Sequence, residues 1–135
     1  MRHYVFRLHR GDDLYKSIHA YCKQQHIQAG YAAACVGCLL KASIRTADGA
    51  TVRNLEERME IVSLTGTVSE NRYHLHISLS REDLSVIGGH LMPGCIVNTT
   101  AEVVLCELDD LSFVKEFDPD TGYNELRIIP IPTEE

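Results

Sequence analysis

Seven consecutive residues, His74-Leu75-His76-Ile77-Ser78-Leu79-Ser80, alternate polar and apolar without interruption. Successive side chains of a strand point to opposite faces, so Leu75, Ile77 and Leu79 share one face while His74, His76, Ser78 and Ser80 share the other. The segment therefore specifies a strand with one face to bury. Its polar face carries two imidazoles two residues apart.

Imidazoles so placed can converge on one cation at the usual Zn–N distance of about 2.0–2.1 Å. A third, His90, follows Gly88-Gly89, and glycines allow the close backbone approach by which a chain folds back over a site. Three neutral imidazoles and a solvent molecule make an open zinc site, so His74, His76 and His90 are the candidate metal ligands. Zinc is the first choice because imidazole suits it, with nickel, iron and manganese as alternatives. The competing reading is a half-exposed polar strand face with no metal.

Ligating imidazoles need partners that fix their tautomers. Ser78, on the same face, and Glu102 are candidates for that role. Glu60 is the candidate general base, a carboxylate placed in an otherwise apolar strand. For both glutamates the alternative is an outward-facing strand position.

The rest of the chain reads as one α+β domain spanning residues 1–135, mainly antiparallel sheet with one principal N-terminal helix. Residues 2–9 alternate as a strand, with Tyr4, Phe6 and Leu8 on one side. Gly11-Asp12-Asp13 supplies a break and an N-cap. Leu14, Ile18, Tyr21 and Cys22 then recur at helical spacing over 13–27, and Ala29-Gly30 predicts the end. Further strands are predicted at 31–46, 59–68, 73–80, 96–108 and 126–131, with a hairpin turn at Asp48-Gly49. Loops fall around Glu70-Asn71 and Asp118-Pro119, and the final Pro132-Thr133-Glu134-Glu135 is expected to fray.

Charge narrows the partners. Thirteen Lys plus Arg face nineteen Asp plus Glu, a net −6, which disfavours broad contact with a phosphate backbone. No apolar run approaches the roughly 20 residues of a membrane helix, and the charged N-terminal residues do not form a secretory signal. The five cysteines lack a disulfide-framework spacing and read as reduced thiols of a cytoplasmic protein. Cys35 and Cys38 form an isolated C-x-x-C inside an apolar stretch and read as buried small hydrophobes. His3, His9, His19 and His26 read as surface or core-edge residues. P-loop, nucleophile-elbow and dinucleotide fingerprints are missing.

Several motifs occur together in order. They are Arg7 with Gly11-Asp12-Asp13-Leu14; Arg58-Met59-Glu60-Ile61-Val62-Ser63-Leu64-Thr65-Gly66; His74-x-His76; Gly88-Gly89-His90-Leu91; Gly94; and Thr100-Ala101-Glu102-Val103-Val104-Leu105. Over roughly residues 4–115 they resemble the plants-and-prokaryotes-conserved (PPC) domain of the stand-alone prokaryotic type. That resemblance implies an antiparallel α+β fold and a homotrimer. Plant relatives join the domain to AT-hooks and act on chromatin. In them the segment matching Arg58, Met59, Glu60, Ile61 and Val62 recruits partners. The present chain lacks an Arg-Gly-Arg-Pro hook and carries histidines that plant members generally lack. The fold group also includes acetolactate decarboxylase-like zinc enzymes, which draw three histidines from a His-x-His strand and a later position.

Three functions are therefore expected to compete. One is a DNA-binding or regulatory PPC module with a bound metal. Another is a zinc-dependent lyase or hydrolase acting on a small carbonyl or ester substrate, its substrate-holding arginine being Arg45, Arg58 or Arg81. The third is a binding module that senses a metal or small-molecule ligand.

Overall fold

The alternating segment forms the strand its pattern requires, and a sheet is built outward from it on both sides. A computed structural model describes residues 1–132. Its elements are β1 (Arg2–His9), α1 (Leu14–Gln24), β2 (Gly30–Arg45), β3 (Val52–Val68), β4 (Tyr73–Ser80), β5 (Val86–Leu91), β6 (Ile96–Glu107), β7 (Leu111–Asp118) and β8 (Tyr123–Pro130). The fraying expected of the C-terminus falls, at residues 133–135, outside the described residues. Among the described residues no helix is long and apolar enough to cross a membrane.

Six strands form one antiparallel sheet in the order β1-β6-β2-β3-β4-β5. β2 spans 16 residues and changes neighbour along its length. It pairs with β6 from Gly30 to Lys41, then with β5 through Ile44–Leu91 and Arg45–His90. Strands β2, β3, β4 and β5 thus close into a ring. Register shifts in β2 between Ala32 and Ala34, at Gly37/Cys38 and at Leu39/Lys41 supply the bulges that bend a strand so far. Leu39, Met59, Ile77, Leu79 and Val97 fill the interior; burying a residue of this size contributes about 1.5–3 kcal/mol.

The helix covers the β1 side of the sheet. Leu14, Ile18 and Cys22 are completely buried, and Tyr21 stacks on Phe6 with ring centroids 4.0 Å apart. Asp13 caps the helix by accepting from the Lys16 N–H at 2.9 Å. Its second oxygen accepts from Gly94 at 2.8 Å, tying the helix start to the β5–β6 turn. The helix stops three turns in, before the predicted Ala29-Gly30. His26 adopts φ +53°, its N–H donates to the Lys23 carbonyl, and the Ile27 N–H donates to the Cys22 carbonyl. This is a Schellman closure with histidine in the position glycine usually takes.

Two strands were not foreseen. The Gly-Gly pair that lowers strand propensity in β5 is what lets β5 lie against β4. A Cβ on Gly88 would collide with the Ile77 carbonyl oxygen. On the other side of β4, Gly66 of β3 has φ +145° and a Cβ there would collide with the His74 carbonyl oxygen. β7, also unforeseen, pairs with β8 in a separate two-stranded sheet. Its base is fastened by Phe113, which is buried. The Phe113 N–H donates to the Gln28 carbonyl at 2.9 Å, and its own carbonyl accepts from Ser69 Oγ at 3.2 Å. β3 begins at Val52, seven residues before the predicted Met59, because residues 52–56 pair with the far end of β2.

Because Gly66 combines a left-handed φ with a backbone collision, Gly66→Ala is expected to lower unfolding stability by about 2–4 kcal/mol. Urea denaturation measures this directly; a variant within a few tenths of wild type would contradict the tight β3–β4 approach.

Candidate metal centre

Register across the closed ring brings the three candidate ligands together. His76 lies opposite Thr65 of β3 on one side and opposite His90 of β5 on the other, and His90 lies opposite Arg45 of β2. His74 is two positions along β4 on the same face, opposite Thr67. The three rings form a nearly equilateral triangle, with centroids 5.1, 5.5 and 5.5 Å apart. One nitrogen from each lies within 4.8 Å of the other two. Donors on one tetrahedral zinc stand roughly 3.3 Å apart, so small ring rotations would bring all three onto one cation.

The electrostatics suit a metal as well. Burial first, then the Arg45 charge and the two neighbouring rings, push the His90 pKa down to about 4. Burial, followed by Arg72 and His76, lowers that of His74. Neutral imidazoles keep the lone pair that a metal needs. His90 Nδ1 is buried without a hydrogen-bond partner, an orphan acceptor or donor of the kind a cation site resolves. The residues present fit a transition metal.

His74 and His90 line a cleft of about 720 Å³, and His76 adjoins them at its edge. One wall is the face of α1 that carries Tyr15, His19 and Lys23; His19 packs on Tyr73 with centroids 3.8 Å apart. Burial, then Lys23 and Lys115, lowers the His19 pKa. The opposite wall is the β7–β8 hairpin with Lys115, Tyr123 and Glu125, and the β3–β4 turn adds Arg72.

Other residues singled out from the sequence are distributed differently. Ser78 is on the metal face, one pair along from His76, opposite Ser63 and Gly88; among the described residues no hydrogen bond links it to a histidine. Glu60 lies opposite Ser80 and Cys38, four residues along from His76 and roughly 13 Å away along the strand. It borders a separate recess with Arg58 and Cys38. Glu102 is exposed and pairs with Arg7 and Val36 on β6, which β2 and β3 separate from β4. Within one chain neither carboxylate meets the imidazoles. In the Arg58–Val62 segment, Met59 and Ile61 are buried in the core, leaving Arg58, Glu60 and Val62 as the surface.

Of the three candidate arginines only Arg45 lines the cleft. Arg58 and Arg81 form ion pairs with Glu82 and Glu57 elsewhere. Cys35 is buried, as expected, and burial pushes its thiol to about 12. Cys38 is partly exposed, because residues three apart in a strand take opposite faces. Sequence reasoning missed Arg72, His19, Lys115 and Glu125. For His19 a signal existed: Tyr15, His19 and Lys23 recur every four residues and mark one helix face.

Residues 1–109 match the profile of the Plants and Prokaryotes Conserved domain, abbreviated PCC or PPC. The chain is 40% identical over 128 residues to the bifunctional protein GlmU of a Synechococcus strain, covering 95% of this chain and 20% of that protein. It thus spans about a fifth of the length of that curated relative. Among solved structures, a hypothetical protein from Salmonella enterica superposes with TM-score 0.93 and 36% identity, covering 96% of this chain and 94% of that one. A candidate DNA-binding protein from Bacteroides thetaiotaomicron gives 0.83 and 27%, with coverage of 93% and 91%. A metal-containing protein from Archaeoglobus fulgidus gives 0.82 and 27%, with 94% of each chain covered. A Staphylococcus aureus protein similar to alpha-acetolactate decarboxylase shares the fold alone, at TM-score 0.51 and 12% identity, over 78% of this chain and 52% of that one.

Purified protein is expected to carry near one transition-metal ion per chain by mass spectrometry, and the His74→Ala/His76→Ala double variant close to none. Equal content in the two would remove these histidines as the donor set.

Proposed function

The chain belongs to the Plants and Prokaryotes Conserved domain family, and on that footing we propose that it is a metal-dependent lyase or hydrolase acting on a small carbonyl or ester substrate. The observation that carries this reading is the convergence of three imidazoles, two of which line a substrate-sized cleft. Clefts of about 300–1,000 Å³ are the usual size for small-molecule sites, and this one falls inside that range. His74, His76 and His90 hold the metal, with zinc as the first choice for three imidazoles. Bound zinc supplies a Lewis acid that polarises a substrate oxygen.

The remaining roles fall to the protein. Tyr15 and Tyr73 form an edge-on aromatic pair, 6.1 Å between centroids, that keeps water from one side of the cleft. Glu125 is the carboxylate that the chain itself presents to the cleft for proton movement. Glu60, held away from the histidines within one chain, reaches such a centre only from a neighbouring copy. The free cysteines support a reducing, cytoplasmic setting.

A homotrimer provides the neighbour. Val5, Val36 and Val62 are 69%, 58% and 56% exposed on the outer sheet face. Gly37 pairs with Ile61, which sets Val36 beside Val62, and an apolar strip of this kind fits contact between copies. Light scattering is expected to return three times the 15.2 kDa chain mass, with Val62→Arg reducing it; a monomeric wild type would overturn the assembly.

DNA binding is the second reading, favoured by the name of the Bacteroides neighbour and opposed by the net charge of −6. One experiment separates the two. Zinc-loaded protein is screened against small keto acids and activated esters, beside DNA-binding titrations over a range of salt. Turnover at least 100-fold above the His74→Ala/His76→Ala variant is the expected result. No turnover, together with DNA affinity that falls steeply with salt, would replace the enzyme with the DNA-associated module.

A further inference from the structure

We infer that the cleft contains a built oxyanion subsite, in which Arg72 and Arg45 hold the carboxylate or phosphate of a small ligand beside the three histidines. The inference deepens the small-molecule reading above and rests on it for the ligand's other end, but the anion contact itself does not require a metal.

Arg72 is the main observation. It is 9% exposed and lines the cleft. Among the described residues its side chain makes one hydrogen bond, Nη1 donating to Thr67 Oγ1 at 3.2 Å, and has no carboxylate within ion-pair distance. A guanidinium has five N–H donors, so most of this buried fork faces no protein acceptor. Arg45 repeats the pattern from the opposite side. Its Nε is buried without a partner, and its backbone pairs with His90, which sets its side chain against the metal face.

The cleft gathers further cations. Outside it, Lys41, Arg58, Arg81 and Arg127 each lie within ion-pair distance of a glutamate, whereas Arg2, Arg7, Arg10, Lys16 and Arg53 do not among the described residues. Inside it, Lys23, Arg45, Arg72 and Lys115 form no ion pair among the described residues, although acids outnumber bases in the chain. Two of the three acids of the cleft are already engaged. Asp48 accepts from Thr46, Ala50 and Thr51. Glu70 accepts from Gln28 and faces His26. Their charges remain, so with Glu125 three carboxylates stand against the four cations of the cleft and leave a small positive excess. A concave site with low-dielectric walls concentrates such a field and draws in counter-ions. Guanidinium forks match carboxylate and phosphate oxygens in geometry as well as charge. A ligand of the chemical class of a keto or hydroxy acid, or of a phosphomonoester, satisfies Arg72 and Arg45 with its anion while its neighbouring oxygen reaches the histidines.

Calorimetric titration tests this with three probes: pyruvate, inorganic phosphate, and uncharged methyl pyruvate. Each is added to metal-free protein, and pyruvate and methyl pyruvate also to zinc-loaded protein. Metal-free wild type is expected to bind pyruvate or phosphate and not methyl pyruvate, and the preferred anion identifies the ligand class. Arg72→Gln and Arg45→Gln should each weaken that binding at least about tenfold with metal content unchanged, and Arg72→Lys should recover part of it. If circular dichroism shows Arg72→Gln misfolded, Arg45→Gln decides alone. Anion affinity equal in wild type and Arg45→Gln, or no anion binding by the wild type, would overturn the subsite. Anion binding by a wild type that takes up no zinc on loading would keep the subsite and sink the metalloenzyme.

Discussion

Two residue pairs, Ile44 with Leu91 and Arg45 with His90, hold the rest of the site in place, because they close the sheet on itself. Without them β5 would be a free edge, an arrangement proteins avoid or protect. His90 would hang on a two-stranded margin, and its distance from His76 would be set by β4 alone. With the ring closed, the third imidazole is fixed from two sides. The same contact delivers a positive charge to the metal face. The bulges in β2 are the condition for this closure, since a straight 16-residue strand could not serve β6 at one end and β5 at the other.

The cleft is arranged at some expense to stability. A buried Arg72 with no acidic partner, a buried His90 nitrogen with no hydrogen bond among the described residues and a histidine in a left-handed cap all oppose folding. They are clustered on one side of the molecule, away from a core that is apolar and fully packed. Such concentration of unmet polar groups is what functional sites look like when the surrounding structure determines their geometry.

The sequence disclosed the parts of this arrangement that depend on local periodicity. The alternation of β4 announced both its strand and the face of its two histidines. The spacing of Leu14, Ile18 and Cys22 announced the helix. What stayed hidden depends on lateral placement. Glu60 shares the metal face with His76, but only the register of β3 on β4 shows that it stands two rows away. Glu102 has the right chemistry on the wrong strand, with β2 and β3 between it and β4. β5 was masked because the glycines needed for close approach also weaken strand character. β7 was masked because its inward face passes from core at Phe113 to cleft at Lys115, which breaks the alternation. Arg72 lies in a turn, where no periodicity reports on what a side chain meets.

The hairpin of β7 and β8 introduces a division of labour along the chain. The three histidines lie inside the stretch of residues 1–109 that matches the family, whereas Lys115, Tyr123 and Glu125 of the cleft lie beyond it. The hairpin is pinned at its base and contributes its outer half to the cleft. Its turn and facing residues can therefore be exchanged with little disturbance to the ring beneath. Part of the cleft wall is thus carried on a separable piece of polypeptide, and altering one two-stranded arm would reshape the cleft without moving the three histidines.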